Sequence, residues 1–133
     1  LSSSYVREKF RQWAVEVQAT TGDVFHSTIN TAENPTDSIW WTAQFVAEFN
    51  EGTFCKRPFM ETGFIVVIAV ARAGLGDLEA IRMLERVIPE LLAKVDPTQR
   101  LVLETHDPIR DETAGSADRS FRVSVSIDYR HSL

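Results

Sequence analysis

The sequence predicts an α+β fold: a mainly antiparallel sheet packed against two helices, in the order helix, strand, strand, helix, strand, strand. Three observations carry this. Two segments, one near the N-terminus and one after Gly76, repeat apolar residues at helical spacing. Residues 121–130 alternate apolar and polar without a break, and residues 64–71 are apolar on both faces of a strand. On length, the 133 residues make one domain, 1–133, large enough to bury a core without disulfides or a structural metal. A single sheet layer with two helices against it is the economical way to cover such stripes.

The first helix is expected over residues 5–18, with Val6, Phe10, Trp13, Ala14 and Val17 on one side and Arg7, Glu8, Arg11 and Gln12 opposite. Ser4 suits its N-cap and Gly22 its end. The polar stretch through Asn30, Asn34, Pro35 and Asp37 is expected to be an irregular connection. Residues 38–49 then alternate. Ile39, Trp41, Ala43, Phe45, Ala47 and Phe49 fall on one side, Trp40, Thr42, Gln44, Val46 and Glu48 on the other, as in a half-buried strand. Asn50, Glu51 and Gly52 supply turn chemistry, and residues 53–60 form the decorated tip of a long hairpin.

The returning strand puts Phe64, Val66, Ile68 and Val70 on one face and Ile65, Val67, Ala69 and Ala71 on the other. Such a strand is either the middle of a two-sided sheet or has its second face covered by another subunit. A second helix is expected over residues 77–95, striped by Ile81, Leu84, Ile88, Leu91, Leu92 and Val95, kinked by Pro89 and closed by Asp96 and Pro97. Residues 100–105 predict a third strand and 119–130 a fourth. In the fourth, Phe121, Val123, Val125, Ile127 and Tyr129 share a face, and charged residues 107–118 form an exposed hairpin loop before it.

Composition excludes several classes. A net charge of -5 and a pI near 5.2 disfavour a protein whose main task is gripping nucleic acid, which needs clustered Lys and Arg. The single Cys55 excludes an internal disulfide and a multi-cysteine zinc site. The longest apolar run, 64–71, falls well short of the roughly 20 residues that cross a bilayer. Residues 1–7 lack the basic and apolar regions of a secretory signal.

No catalytic constellation emerges. Gly74, Leu75 and Gly76 precede a helix as in a dinucleotide loop, but the third glycine position is Glu79, and Asp77 puts a carboxylate where pyrophosphate needs positive potential. His26, His106 and His131 have no partner at helical metal spacing. An ion at His106, Asp107, Asp111 and Glu112 would have oxygen ligands and a charge-neutralising role at a subunit contact. Cys55 has no evident base, no serine sits in a nucleophile elbow, and Glu48 and Glu51 merely flank a turn. The expectation is a non-enzyme without cofactor, with Mg2+ dependence of assembly as the one ion effect to test. What remains is adhesive surface: Trp40 opposite Trp41, the doubly apolar strand, and Phe54, Pro58, Phe59 and Met60 beside Lys56 and Arg57.

The order of landmarks resembles the tail terminator proteins of long-tailed bacteriophages. The carrying residues are the helix ending at Thr21 and Gly22, the loop through Asn30 and Pro35 into Trp40 and Trp41, and Glu61, Thr62 and Gly63 opening an apolar strand. Ala73, Gly74, Leu75, Gly76 and Asp77 before the helix, an acidic loop containing Gly115, and a last strand ending Asp128, Tyr129, Arg130 complete it. The resemblance implies a virion protein that forms a hexameric ring at the head-proximal end of the tail, stops tube growth and docks the head-side connector. DNA would pass through its lumen without specific binding. Its partners would be further copies of itself, the tail tube protein and the connector or neck protein, with no membrane involved. Carried over by position, residues 54–60 would form an arm, with Phe54, Lys56, Arg57, Phe59 and Met60 at a neighbouring subunit or the tube, alongside Trp40. Arg110, Asp111, Glu112 and Arg119 would supply inter-subunit ion pairs, which set register more than affinity. Two alternatives stay open: another neck protein of the head-closure or tail-completion type, and a small cytosolic ligand-binding or enzymatic domain using the cleft beside residues 74–77.

Overall fold

The computed structural model describes residues 4–27, 38–51, 60–72, 77–111 and 120–132. Helix α1 (Ser4–Thr21) is followed by strands β1 (Ile39–Glu51) and β2 (Met60–Ala71), helix α2 (Asp77–Leu92), and strands β3 (Leu101–His106), β4 (Arg110–Asp111) and β5 (Phe121–Ser132). The strands form one antiparallel five-stranded sheet in the order β1-β2-β5-β3, with β4 also paired to β5. This is an α+β fold with β2 and β5 in the centre.

Helix α1 forms because Val6, Phe10, Trp13, Ala14 and Val17 make a single buried stripe. It runs a turn beyond the expected 5–18. Thr20 and Thr21 stay helical with their hydroxyls bonded back to the carbonyls of Glu16 and Val17, and Gly22 then caps the helix in the left-handed region at φ 78°. The Gly22 amide closes the end on the Gln18 carbonyl at 2.8 Å. The chain does not become irregular at once. Residues 24–26 lie parallel to β1, with Trp41 N–H donating to Val24 O and His26 N–H to Trp41 O, because the fully buried Trp41 also donates its indole N–H to Asp23 O.

Helix α2 lies against β2 and β5, and α1 packs on α2, reaching β1 through the Phe10 and Phe45 rings at 5.4 Å. The odd-numbered residues Ile65, Val67, Ala69 and Ala71 of β2 and Val123, Val125, Ile127 and Tyr129 of β5 point into this helix-covered core. Each fully buried Val, Leu, Ile or Phe there contributes roughly 1.5–3 kcal/mol.

Four expectations need correction. Strand β2 starts at Met60 rather than Phe64, because residues 60–63 have cross-strand partners on both β1 and β5. The β1 alternation does not carry through, since the register shifts between Ala47 and Phe49. Helix α2 ends at Leu92, leaving Val95 76% exposed, and its buried stripe also takes in Ala80, Met83 and Val87; the helix continues through Pro89, whose carbonyl accepts Ala93 N–H. Finally, 107–118 is not all loop: Asp107 N–H donates to Ser126 O, and Arg110 and Asp111 rejoin the ladder opposite Ser124 and Val123.

Candidate functional site

Two places stand out. The first is the sheet face turned away from both helices. On β2 it carries the even residues, with Phe64 and Val66 half-buried and Ile68 and Val70 buried. The ladder sets these beside Val46, Gln44, Thr42 and Trp40 of β1, and beside Asp128, Ser126, Ser124 and Arg122 of β5. Val46 is 39% exposed, and Gln44 and Asp128 are exposed too. The face is thus apolar through its middle, with charge along the β5 side. At one end His26 closes on it: its carbonyl accepts the Thr42 hydroxyl at 2.6 Å and its ring meets Trp40 edge-on at 5.5 Å.

This face collects part of the expected interface. Trp40 lies on it, half-buried, one ladder row from Arg110, which sits beyond Ser124 on β4. Arg110 and Asp111 are exposed, and the Arg110 guanidinium is 3.8 Å from Asp107 in a surface pair of little energetic weight. Met60 is half-buried at the far end of β2, paired with Glu51 and Ser132, so it does not join Trp40 and Arg110. Phe54, Lys56, Arg57, Phe59, Glu112 and Arg119 lie outside the described residues, as do Cys55 and the glycines 74 and 76. Among the described residues no cluster of His, Cys, Asp and Glu could hold a metal ion, and no helix is long and apolar enough to cross a membrane.

The second place is a buried polar corner that the sequence reading missed. Asp96, in the α2–β3 connection, is 2% exposed and accepts hydrogen bonds from the Tyr5 hydroxyl at 2.7 Å, the Thr98 amide and hydroxyl, and the Leu101 amide. Burial alone would raise its pKa, but the Tyr5 and Thr98 bonds and the backbone donors win and hold it at about 2. The turn it organises puts Gln99 at φ 56°. Beside it, Tyr129 donates to the buried Glu61 carboxylate at 2.6 Å, and the fully buried His131 stacks on Tyr5 at 5.0 Å. Arg100 lies over the Tyr5 ring at 4.5 Å. Next to this corner, Tyr5, Glu8, Lys9 and Gln12 line an open groove of about 430 Å³.

One signal for this corner was legible: His131 extends the apolar alternation of β5, so a titratable ring occupies a core position. Its partners were not, because Tyr5 and Asp96 are 91 residues apart and Glu61 and Tyr129 are 68 apart. Together these bonds and ring contacts fasten α1 to the sheet. Compared with known proteins, the sequence matches no family model and no curated protein.

Proposed function

We propose that this protein is a structural subunit that assembles with copies of itself, most specifically a phage tail terminator closing into a hexameric ring on the tail tube. The observation that carries the reading is the face of β2 turned away from α1 and α2. A central strand with Phe64 and Val66 still half-buried on its outer side, beside the exposed Val46, has the character of surface awaiting a protein partner. An apolar middle with charge along one side suits a contact that is packed at its centre and registered at its rim. The fold class also agrees with that family's small α+β domain. In this reading the head-proximal ring ends the tube and offers a second surface to the connector, while DNA slides through a lumen that an overall charge of -5 helps keep non-adhesive.

Light scattering over a concentration series, with and without Mg2+ and with tail tube added, tests the proposal when followed by imaging. A closed six-fold ring is expected in at least the tube-templated condition. The Val46→Glu variant should fail to assemble while melting at the wild-type temperature, because Val46 is an exposed position whose change leaves the core intact. Normal assembly of that variant would remove the open face from the contact. A wild-type chain that stays monomeric in all conditions, and melts higher with a small-molecule ligand, would overturn the reading.

A further inference from the structure

We propose that the open edge of β1, from Ala43 to Ala47, is a strand-addition site for an extended acidic segment of another protein, a surface apart from the outer face of β2. Strands β1 and β3 bound the sheet. The β3 edge is short, at six residues, and the Asp96 carboxylate takes the Leu101 N–H that points outward from it. Strand β1 has 13 residues, and among the described residues its outer edge is paired only where residues 24–26 meet Trp41. Because Trp41 turns its N–H and C=O outward to Val24 and His26, the same groups of Ala43 and Phe45 point outward as well, and among the described residues nothing pairs with them. An edge of this kind is where an extended peptide adds to a sheet.

Residues 24–26 show how the rest of the edge would be filled. Phe25 N–H donates to Gln18 Oε1 at 2.9 Å, and the Phe25 ring packs 4.5 Å from Trp41 and 6.5 Å from Phe10. Helix α1 thus holds the paired segment by its backbone with an exposed side chain. Arg7 and Arg11 share the face of α1 that carries Gln18, so the same flank continues along the open part of the edge. The Arg7 guanidinium stands 5.0 Å over the Phe45 ring, and Arg11 is exposed. Among the described residues neither arginine pairs with a carboxylate. Guanidinium groups only donate hydrogen bonds, so the occupant they match is a strand that brings carboxylates. A glutamate on its helix side would lay its methylenes over Phe45 and reach Arg7 or Arg11 with its charge. The same two arginines oppose antiparallel pairing of this edge with β1 of a second copy, since a two-fold axis near Phe45 would set like charges against each other.

NMR titration of the intact chain with the peptide acetyl-Val-Glu-Val-Glu-Val-Glu-amide tests this. The Ala43 and Phe45 amides should become protected from hydrogen exchange as the peptide saturates, while Thr42 and Gln44, whose amides already face β2, should change little. The peptide with lysine in place of each glutamate should bind at least about tenfold more weakly, and the double variant Arg7→Glu, Arg11→Glu should weaken the glutamate peptide by about the same factor. Should the double variant fail to fold, the comparison of the two peptides on the wild-type chain decides. Equal binding of the two peptides, binding that leaves Ala43 and Phe45 unprotected, or no binding of the glutamate peptide would overturn the proposal. Protection of these two amides that rises with protein concentration in the absence of peptide would also overturn it, because the edge would then belong to a second copy of the chain.

Discussion

Gly63 gives the sharpest test of the packing. In a strand interior, glycine is ordinarily a weak point, and replacing it by Ala is expected to gain roughly 0.5–1 kcal/mol through lower unfolded-chain entropy and better strand propensity. The structure reverses the sign. A Cβ on Gly63 would overlap the Val46 carbonyl oxygen and would lie 2.9 Å from both Ala47 Cα and Tyr129 Cε1. Two of these neighbours are backbone of the adjacent strand, at the edge of the β1 register shift, and the third belongs to the ring whose hydroxyl is bonded to Glu61. None is the free end of a flexible side chain. Overpacking into such a site costs about 1–3 kcal/mol, and the backbone overlap puts Gly63→Ala at the upper end, about 3 kcal/mol. Gly22→Ala is the built-in comparison. Nothing lies within 4 Å of its Cβ position, so only the left-handed φ of 78° is penalised, at about 1 kcal/mol. Urea unfolding with an unchanged m-value measures both, and Gly63→Ala should melt about 10 °C lower than wild type. If Gly63→Ala is neutral or stabilising, or less harmful than Gly22→Ala, the close approach of β1, β2 and Tyr129 is wrong.

Asp96 sets the acid limit of the fold. Its folded pKa of about 2 lies below the ordinary 3.8, so its stabilisation is complete above about pH 4 and disappears as pH falls through about 2, amounting to about 2 kcal/mol. The Asp96→Asn variant should lose that amount at pH 7 and show a flatter stability curve between pH 4 and 2; an unchanged acid slope would contradict the assignment. Arg86 holds the 8%-exposed Asp23 through two bonds of 3.0 and 2.7 Å, and Arg86→Ala should cost about 1–2 kcal/mol by stranding that carboxylate, although half-exposure of the arginine limits the loss. Denaturation of Arg86→Ala alone and with Asp23→Ala separates stranding from pairing, since the double variant should recover part of the loss. Val95→Ser should be neutral within about 0.5 kcal/mol, because Val95 lies outside the core; a loss above 1 kcal/mol would restore it to the helix stripe.

The parts of the fold that the sequence exposed are those governed by neighbours in the chain. The helix stripe from Val6 to Val17 and the alternation from Phe121 to Tyr129 identify their buried faces, because one face of an element must be apolar wherever it meets a core. The same logic failed at Val95, where periodicity continues past the end of the hydrogen-bonded helix, and at Arg110 and Asp111, where ladder pairing with Ser124 and Val123 makes a strand without any apolar pattern. Of the expected contact residues, Trp40 and Arg110 share one sheet face because the row Thr42, Ile68, Ser124, Arg110 lies next to the row Trp40, Val70, Arg122, a register that no local pattern encodes.

By itself the sequence determined the fold class, the two helix faces, the buried side of β5 and the doubly apolar character of β2, since each follows from side-chain period within a single element. Only the tertiary structure decided which side of β2 the helices cover, that Gly63 is pressed between β1 and Tyr129, and that Tyr5, Glu61, Asp96, Tyr129 and His131 meet in one corner. The physical reason is that periodicity orients a side chain relative to its own backbone, whereas contacts between residues far apart in the chain depend on strand register and on where each helix docks.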